Sequence, residues 1–291
     1  MKFTKMHGAG NDYIYIDARA PDFDNEDWPK LSQQMSDRHF GIGGDGIILI
    51  MDSDVADLRM RMFNADGSEG EMCGNGIRCF VKYAVERGIV APSDGNINVE
   101  TLAGIRSIVP IYDGQLLAGA RVSMGEPRLN PEDLPVVLDP AMGYRKGPVL
   151  SYPFRVDGLD LPLTFVSMGN PHAVTFLDKP VAEFPLHIIG PQVERHPMFP
   201  RRVNFEVVNL GEPGQLKARV WERGSGETLA CGTGACAIAV AARLQGLTQD
   251  SVDITLPGGT LTIDWDGEGE VYLEGPAEEV FTGEWQHRNS Q

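Results

Sequence analysis

Basic residues are scarce in this chain: 25 Lys and Arg stand against 41 Asp and Glu, a formal net charge of -16. A surface of that sign argues against the basic stripe with which proteins grip nucleic acid or anionic lipid. It leaves room for an anionic small molecule held locally. Long hydrophobic runs are missing too. No stretch approaches the ~18 apolar residues of a membrane span, and the opening Met1-Lys2-Phe3-Thr4-Lys5-Met6-His7 has no apolar signal-peptide core. The expectation is a cytosolic protein that binds neither membrane nor nucleic acid. Cysteine is sparse, four in 291 residues, with no C-x-x-C pair and no adjacent histidine. That spacing argues against structural zinc, and a cytosolic setting predicts thiols, not disulfides. The glycine-dense Gly41-Ile42-Gly43-Gly44-Asp45-Gly46 lacks the Lys-Ser/Thr of a phosphate-binding loop. Gly8-Ala9-Gly10 is followed by Tyr13 where a dinucleotide fingerprint needs glycine. We therefore expect neither a metal nor an organic cofactor.

What the chain does have is ample apolar content, 42%, with 23% charged residues, close to the globular norm of about 25%. Its 34 glycines and 20 prolines read as punctuation between many short strands. Tyr13–Asp17, Ile47–Met51, Leu58–Phe63, Leu161–Ser167, Arg202–Val208 and Leu216–Trp221 have strand patterns. Trp28–His39, capped by Asp24 or Asn25, Ile77–Arg87 and Ala235–Leu244 read as helices, the last apolar all round and therefore buried on every side. The order repeats. Asn11 and Asn170 stand 159 apart (170 − 11), Cys73 and Cys231 158 apart (231 − 73), and the helix-ending Gly88 and Gly246 158 apart (246 − 88). Arg38-His39 and Arg195-His196 fall in the same series, the latter in an expected loop. Matches at nearly constant spacing, in the same structural order, indicate an internal duplication. The fold class expected is α/β of the α+β type. It comprises two pseudo-symmetric domains, each a curled, mostly antiparallel sheet around a central helix, with the active site in the interdomain cleft. The halves are expected at 1–132 and 133–291, with the last strand or tail packing back on the first half.

The chemistry concentrates where each half passes from strand to helix. Cys73 is followed by Gly74-Asn75-Gly76 and Cys231 by Gly232-Thr233-Gly234. A cysteine there meets the unpaired N–H groups of the helix's first turn, which favour negative charge on sulfur or on a bound carboxylate. Cys79 and Cys236, inside the helices, read as packing residues. Four readings fit two such thiols. A cysteine hydrolase with His172 as base gives no reason to duplicate the nucleophile. A dithiol redox couple usually uses a local C-x-x-C. A duplicated binding domain with packed cysteines explains the repeat but not the glycine collars. The fourth is a two-base inversion: one thiolate removes a proton from a tetrahedral carbon and the other thiol returns one to the opposite face. This reading uses the symmetry.

Asn64-Ala65-Asp66-Gly67-Ser68-Glu69 with Cys73-Gly74-Asn75-Gly76, Ser167-Met168-Gly169-Asn170-Pro171-His172, and Glu222-Arg223-Gly224-Ser225-Gly226-Glu227-Thr228 with Cys231-Gly232-Thr233-Gly234 carry a resemblance to the diaminopimelate epimerases. Met6-His7-Gly8-Ala9-Gly10-Asn11-Asp12 matches as well. The resemblance runs from about Phe3 to Glu274. It implies a pyridoxal-independent enzyme that converts LL- to meso-2,6-diaminopimelate for lysine and peptidoglycan synthesis, commonly as a homodimer. It implies Cys73 and Cys231 as the acid/base pair, with His172 and Glu222 supporting catalysis. Asn11, Asn64, Asn170, Asn204, Glu222 and Arg223 are implied to contact substrate, and Gly74-Asn75 and Gly232-Thr233 to supply helix donors to the reacting carboxylate. Arg223 suits the distal carboxylate through a bidentate pair. One position departs: some members have Gln where this chain has Gly46. In proline racemase-like enzymes a histidine follows the first Cys-Gly, and here Asn75 stands there.

Overall fold

The computed structural model describes residues 1–286 except Asp24 and Arg145. The chain divides into two compact units, one of Met1–Ser123 with the residues from Glu274 onward, the other of Met124–Leu273.

In the first unit β1 (Lys2–Gly8) and β2 (Asn11–Asp17) form an antiparallel hairpin. Its turn is Ala9-Gly10, both at positive φ. After α1 (Trp28–Ser36), β3 (Gly46–Met51) lies parallel to β2, and β4 (Leu58–Asn64) returns antiparallel to it. The two-residue β5 (Glu69–Gly70) folds back on β4. Then α2 (Gly74–Glu86) crosses to β6 (Ile97–Thr101), parallel to β4, and β7 (Gly104–Asp113) and β8 (Leu116–Ser123) continue as an antiparallel meander.

The second unit starts with β9 (Tyr152–Val156), β10 (Leu159–Ser167) and β11 (Pro171–Phe176), paired antiparallel in sequence. After α3 (Leu186–Glu194), β12 (Asn204–Leu210) lies parallel to β11, and β13 (Gln215–Glu222) is antiparallel to β12. The short β14 (Gly226–Thr228) folds back on β13. Next come α4 (Gly232–Leu244), β15 (Ser251–Leu256) parallel to β13, and β16 (Gly259–Asp264). β17 (Tyr272–Pro276) carries the chain back to the first unit, where β18 (Glu278–Glu284) pairs antiparallel with β1.

The duplication is thus visible in the pairing itself. Both units run antiparallel, parallel, antiparallel, antiparallel, parallel, antiparallel in the same order, and β18 on β1 has its counterpart in β9 on β10. Both ends of α1 and α3 are 158 apart (186 − 28, 194 − 36), as are both ends of α2 and α4 (232 − 74, 244 − 86). Each sheet takes a helix on either face. On one side of the first, Phe3, Ile14, Ile16, Ile47, Leu49 and Phe63 pack under Trp28, Leu31 and Met35 of α1. On the other, α2 touches β1, β2 and β3 and also β7 and β8, so the sheet curls around it. β2 and β3, buried on both faces, are accordingly near-continuous apolar runs. Helix α4 relates in the same way to β10, β11, β12, β15 and β16, and every residue from Ala235 to Ala242 is buried.

The division between units falls at Ser123/Met124, not at 132/133. Met124 N–H donates to Val271 O, and Arg128 and Ser167 exchange backbone hydrogen bonds, so this stretch belongs to the second sheet. Helix α1 stops at Ser36, short of the expected His39, because the Asp37 carboxylate accepts the N–H groups of His39 and Phe40 and draws them out of the helix. Its N-cap is Asp27, not Asn25; Asp24 lies outside the described residues. Glu194 ends a helix where a loop was expected: Gly190 and Pro191 inside α3 hide it from a propensity reading. Helices α2 and α4 begin at Gly74 and Gly232, three residues earlier than expected, since glycine weakens the sequence signal of a first turn.

Candidate active site

Each unit carries a cysteine at the same structural point. Cys73 is the N-cap of α2, in extended backbone at φ -130° and ψ 118°, and its Sγ accepts from Gly76 N–H at 3.3 Å. Cys231 caps α4 at φ -119° and ψ 113°, its Sγ accepting from Gly234 N–H at 3.4 Å. Sulfur here replaces the side-chain oxygen of an ordinary N-cap. The third residue after each cysteine has to be small. A Cβ on Gly76 would stand 2.6 Å from Ile48 Cδ1, and one on Gly234 3.2 Å from Glu206 Oε1.

In the first unit the β1–β2 turn reaches the sulfur: Cys73 Sγ donates to Asn11 Oδ1 at 3.1 Å. The amide of Asn11 is held from its other end, Nδ2 donating to Asp45 Oδ2 at 2.6 Å. Asp45 also accepts from Asp12 N–H at 3.1 Å and from Arg38 Nη2 at 2.9 Å. Arg38 in turn pairs with Asp12 at 2.7 Å, and the buried Lys5 ammonium lies 2.5 Å from Asp12 Oδ2. Burial pushes the Asp45 carboxyl above its usual range, and the Asp12 charge adds to it. Burial opposes the Asp12 carboxylate too, but hydrogen bonds from Arg38 and Lys5 outweigh it and hold Asp12 below the usual range. A group depressed in this way stabilises the fold fully above the unfolded carboxylate value of about 3.9, and loses that effect as pH falls through its folded value. Replacing Asp12 by Ala leaves the Lys5 ammonium buried without a carboxylate. The expected loss is of the order of 3 kcal/mol at neutral pH, shrinking under acid. Urea unfolding at two pH values measures it; equal losses at pH 7 and pH 3 would contradict this account.

In the second unit the corresponding turn carries Asn170. Its Nδ2 donates to Thr233 Oγ1 at 3.2 Å, and Thr233 Oγ1 lies 3.5 Å from Cys231 Sγ. His172 Nε2 is 2.9 Å from Asn170 Oδ1, and His172 Nδ1 is 2.6 Å from Glu206 Oε1. Glu206 is fully buried, 0% exposed. Burial pushes the Cys231 thiol well above its ordinary range, with the Glu222 carboxylate adding to the shift and the Thr233 hydroxyl opposing it. Burial likewise raises Glu206, and the His172 ring pulls it back.

The turn Glu222-Arg223-Gly224 follows β13. Arg223 N–H donates to Asn204 Oδ1 at 2.8 Å and Gly224 N–H to Glu194 Oε1 at 3.1 Å, while Trp221 Nε1 donates to Glu194 Oε2 at 2.8 Å. Thr228 Oγ1 donates to Glu222 Oε1 at 2.5 Å. The Arg223 guanidinium reaches Arg201 O at 3.1 Å and is otherwise in solvent. Asn204 is buried, its Nδ2 donating to Pro171 O at 3.0 Å, so its amide organises backbone.

Of the residues singled out from sequence, the first unit brings Asn11, Cys73, Gly74 and Asn75 together at the start of α2. Asn64 ends β4 with its Nδ2 donating to Ser68 Oγ at 3.0 Å. The second brings Asn170, His172, Cys231, Gly232 and Thr233 together at the start of α4, with Glu222 close enough for its charge to act on Cys231. Three supporting acids escaped the sequence reading: Asp45, Glu194 and Glu206. Glu206 had a signal, being the one charge in the apolar run Val203–Val208. Asp45 was hidden in a loop read as a bare turn, and Glu194 in the unrecognised helix.

Gly46, the position at which the resemblance implied a departure, opens β3. A Cβ there would stand 2.1 Å from Phe63 O and 3.0 Å from the Tyr13 ring. The position packs backbone against backbone. Introducing Gln is expected to cost about 1–3 kcal/mol of stability without improving substrate affinity. Thermal unfolding beside a KM measurement checks this; unchanged stability with a lower KM would contradict it.

The duplicated α+β fold of this chain is shared with solved structures. One is a phenazine biosynthesis protein of the PhzF family from Bacillus anthracis, matched with a TM-score of 0.67 at 16% identity over 99% of each chain. Sequence similarity narrows the class. The diaminopimelate epimerase family model matches residues 3–130 and 164–280. A diaminopimelate epimerase of Acetivibrio thermocellus is 50% identical over 98% of both chains, and one of Desulfitobacterium hafniense 47% identical over 97% of both. The chain belongs to the diaminopimelate epimerase family, a family of isomerases.

Proposed function

We propose that this chain interconverts LL- and meso-2,6-diaminopimelate by proton transfer between two cysteines and one α-carbon, serving lysine and peptidoglycan precursor synthesis in the cytoplasm. The observation that carries the reading is the matched pair of capping thiols, Cys73 bonded to Asn11 and Cys231 linked to Asn170 through Thr233. In this scheme one sulfur, as thiolate, takes the α-proton. The electron pair left on carbon spreads into the substrate carboxylate, and the N–H groups of Gly74-Asn75 and Gly232-Thr233 hold the added charge. The other sulfur, as thiol, gives its proton to the opposite face of the same carbon. The product leaves the two thiols with their protonation states exchanged, and solvent resets them. Nothing is oxidised or reduced. Asn11, Asn64, Asn170 and Glu222 suit the ammonium groups, Arg223 suits the distal carboxylate, and Asn204 fixes the Arg223 backbone. His172 and Glu222 act on the ionisation of Cys231.

The test is a coupled assay of the purified protein on LL-diaminopimelate, proline and hydroxyproline without added cofactor. Inversion of diaminopimelate alone is expected. Silence on all three substrates would return the chain to the class of binding domains, and inversion of proline would move it to the cyclic imino acid racemases. The homodimer belongs to the same proposal, and light scattering on the eluting protein measures it directly.

A further inference from the structure

The two units hold their turn asparagines by different means, and the difference falls on one buried acid. In the first unit a carboxylate, which only accepts, binds the Asn11 Nδ2, so the Oδ1 end faces Cys73. In the second unit there is no carboxylate at that point; Val203 stands 158 residues after Asp45 (203 − 45). Instead a histidine and a glutamate lie beneath the start of α4, where the first unit has Tyr13 and Ile48. The equivalence is geometric: a Cβ on Gly76 would meet Ile48, and one on Gly234 would meet Glu206.

We infer that Glu206 is a positioning residue: through His172 it fixes the Asn170 amide with its Nδ2 toward Thr233 and Cys231. The consequence is that the two halves present opposite amide ends to their thiols. This rests on the function proposed above. Asn170 Nδ2 donates to Thr233 Oγ1 at 3.2 Å, so its carbonyl Oδ1, which only accepts, faces His172 Nε2 at 2.9 Å, and Nε2 carries a hydrogen. A neutral ring protonated on Nδ1 alone would set two acceptors, Nε2 and Oδ1, against each other. His172 Nδ1 and Glu206 Oε1, 2.6 Å apart and both without solvent, therefore share a second proton, as imidazolium with carboxylate or imidazole with carboxylic acid. The Thr233 hydroxyl hydrogen is released toward Cys231 Sγ. Cys231 is thus set among donors, the Thr233 hydroxyl and Gly234 N–H, whereas Cys73 donates to an acceptor. The Glu206 carboxylate is fully buried, with the His172 ring as its side-chain hydrogen-bond partner and the Ala173 backbone beside it. The titratable groups about that ring are Glu206 on β12, Glu222 at the end of β13 and Cys231 at the start of α4. β10 sets Val166 beside His172.

The experiment compares the full-length wild type with Glu206→Gln and Glu206→Met. It records the ¹⁵N signals of the His172 ring in histidine-labelled protein, with kcat and KM on diaminopimelate from pH 5.5 to 9. In the wild type the Nε2 signal is expected to be that of a protonated nitrogen at neutral pH. In Glu206→Gln the ring loses its shared proton, and its two neutral tautomers become comparable. The Nε2 signal then moves toward that of an unprotonated nitrogen, and kcat falls about tenfold at neutral pH with KM changed less than threefold. Glu206→Met, which offers the ring no partner, is expected to show the larger fall. A wild-type ring whose Nε2 carries no proton at neutral pH would overturn the assignment, as would a folded Glu206→Gln with the wild-type ring signal and kcat. Failure of the wild type to turn over diaminopimelate would instead strike the proposed substrate, and the ring signal alone would then decide the role of Glu206.

Discussion

Replacing either Cys73 or Cys231 by alanine is expected to lower kcat/KM for diaminopimelate by about 10³–10⁴-fold. That is the upper part of the range of about 10²–10⁴ that general acid–base groups contribute, because the scheme has no second group to take over either transfer. Each substitution also removes a helix cap, at a cost of about 1 kcal/mol, because the sulfur accepts Gly76 N–H in one unit and Gly234 N–H in the other. The serine variants separate the two effects. Serine is among the best N-caps, so Cys73→Ser and Cys231→Ser should melt at or near the wild-type temperature. Their hydroxyls ionise far too weakly to act as the thiolate, so they should be as inactive as the alanine variants. Deuterated water adds a signature. Product formed by the wild type should carry solvent deuterium at the inverted carbon, because the proton delivered comes from a thiol that exchanges with solvent. Either single variant with more than a tenth of wild-type turnover, or product that retains its original hydrogen, would defeat the two-base reading.

Much of this arrangement is legible in the sequence because the duplication amplifies weak signals. One Gly-Asn turn or one Cys-Gly-x-Gly start says little. The same features 158 residues apart, in the same order, are improbable by chance, and the structure repeats them down to identical helix lengths. What the sequence hides is whatever depends on packing between distant strands. Asp45 and Asn11 meet because β3 lies parallel to β2, a pairing that no local pattern encodes. Glu206 gains its meaning only from His172 on the neighbouring strand and from the missing Cβ of Gly234 above it. Helix α3 is invisible for a different reason: Gly190 lowers its propensity, yet that glycine is there because a Cβ would lie 2.5 Å from the Trp221 ring. Tertiary contact overrides local preference at that point, and the helix end it fixes supplies Glu194 to the Arg223 turn. Gly46 shows the converse. The resemblance marks it as a missing substrate contact, whereas its surroundings make it a close approach of two backbones.

Arg223→Ala is expected to raise KM for diaminopimelate about a hundredfold with a much smaller change in kcat. The guanidinium does little in the free protein. The backbone on either side of it is fixed, Arg223 N–H by Asn204 and Gly224 N–H by Glu194. The side chain itself makes one hydrogen bond to Arg201 O and stands in solvent. Its removal therefore disturbs the fold little, and Tm should shift by only a degree or two. What is lost is a bidentate pair with the non-reacting carboxylate, a charge-assisted contact worth about 2–4 kcal/mol when partly desolvated. Because that carboxylate is remote from the inverted carbon, it binds equally in ground and transition states, which is why the loss falls on KM. Arg223→Lys keeps the charge but not the fork and should lie between the two. Shortened substrates provide the cross-check: an amino acid lacking the distal carboxylate should bind wild type and Arg223→Ala equally weakly. If Arg223→Ala discriminates between the two substrates as strongly as the wild type does, the distal grip belongs to another residue.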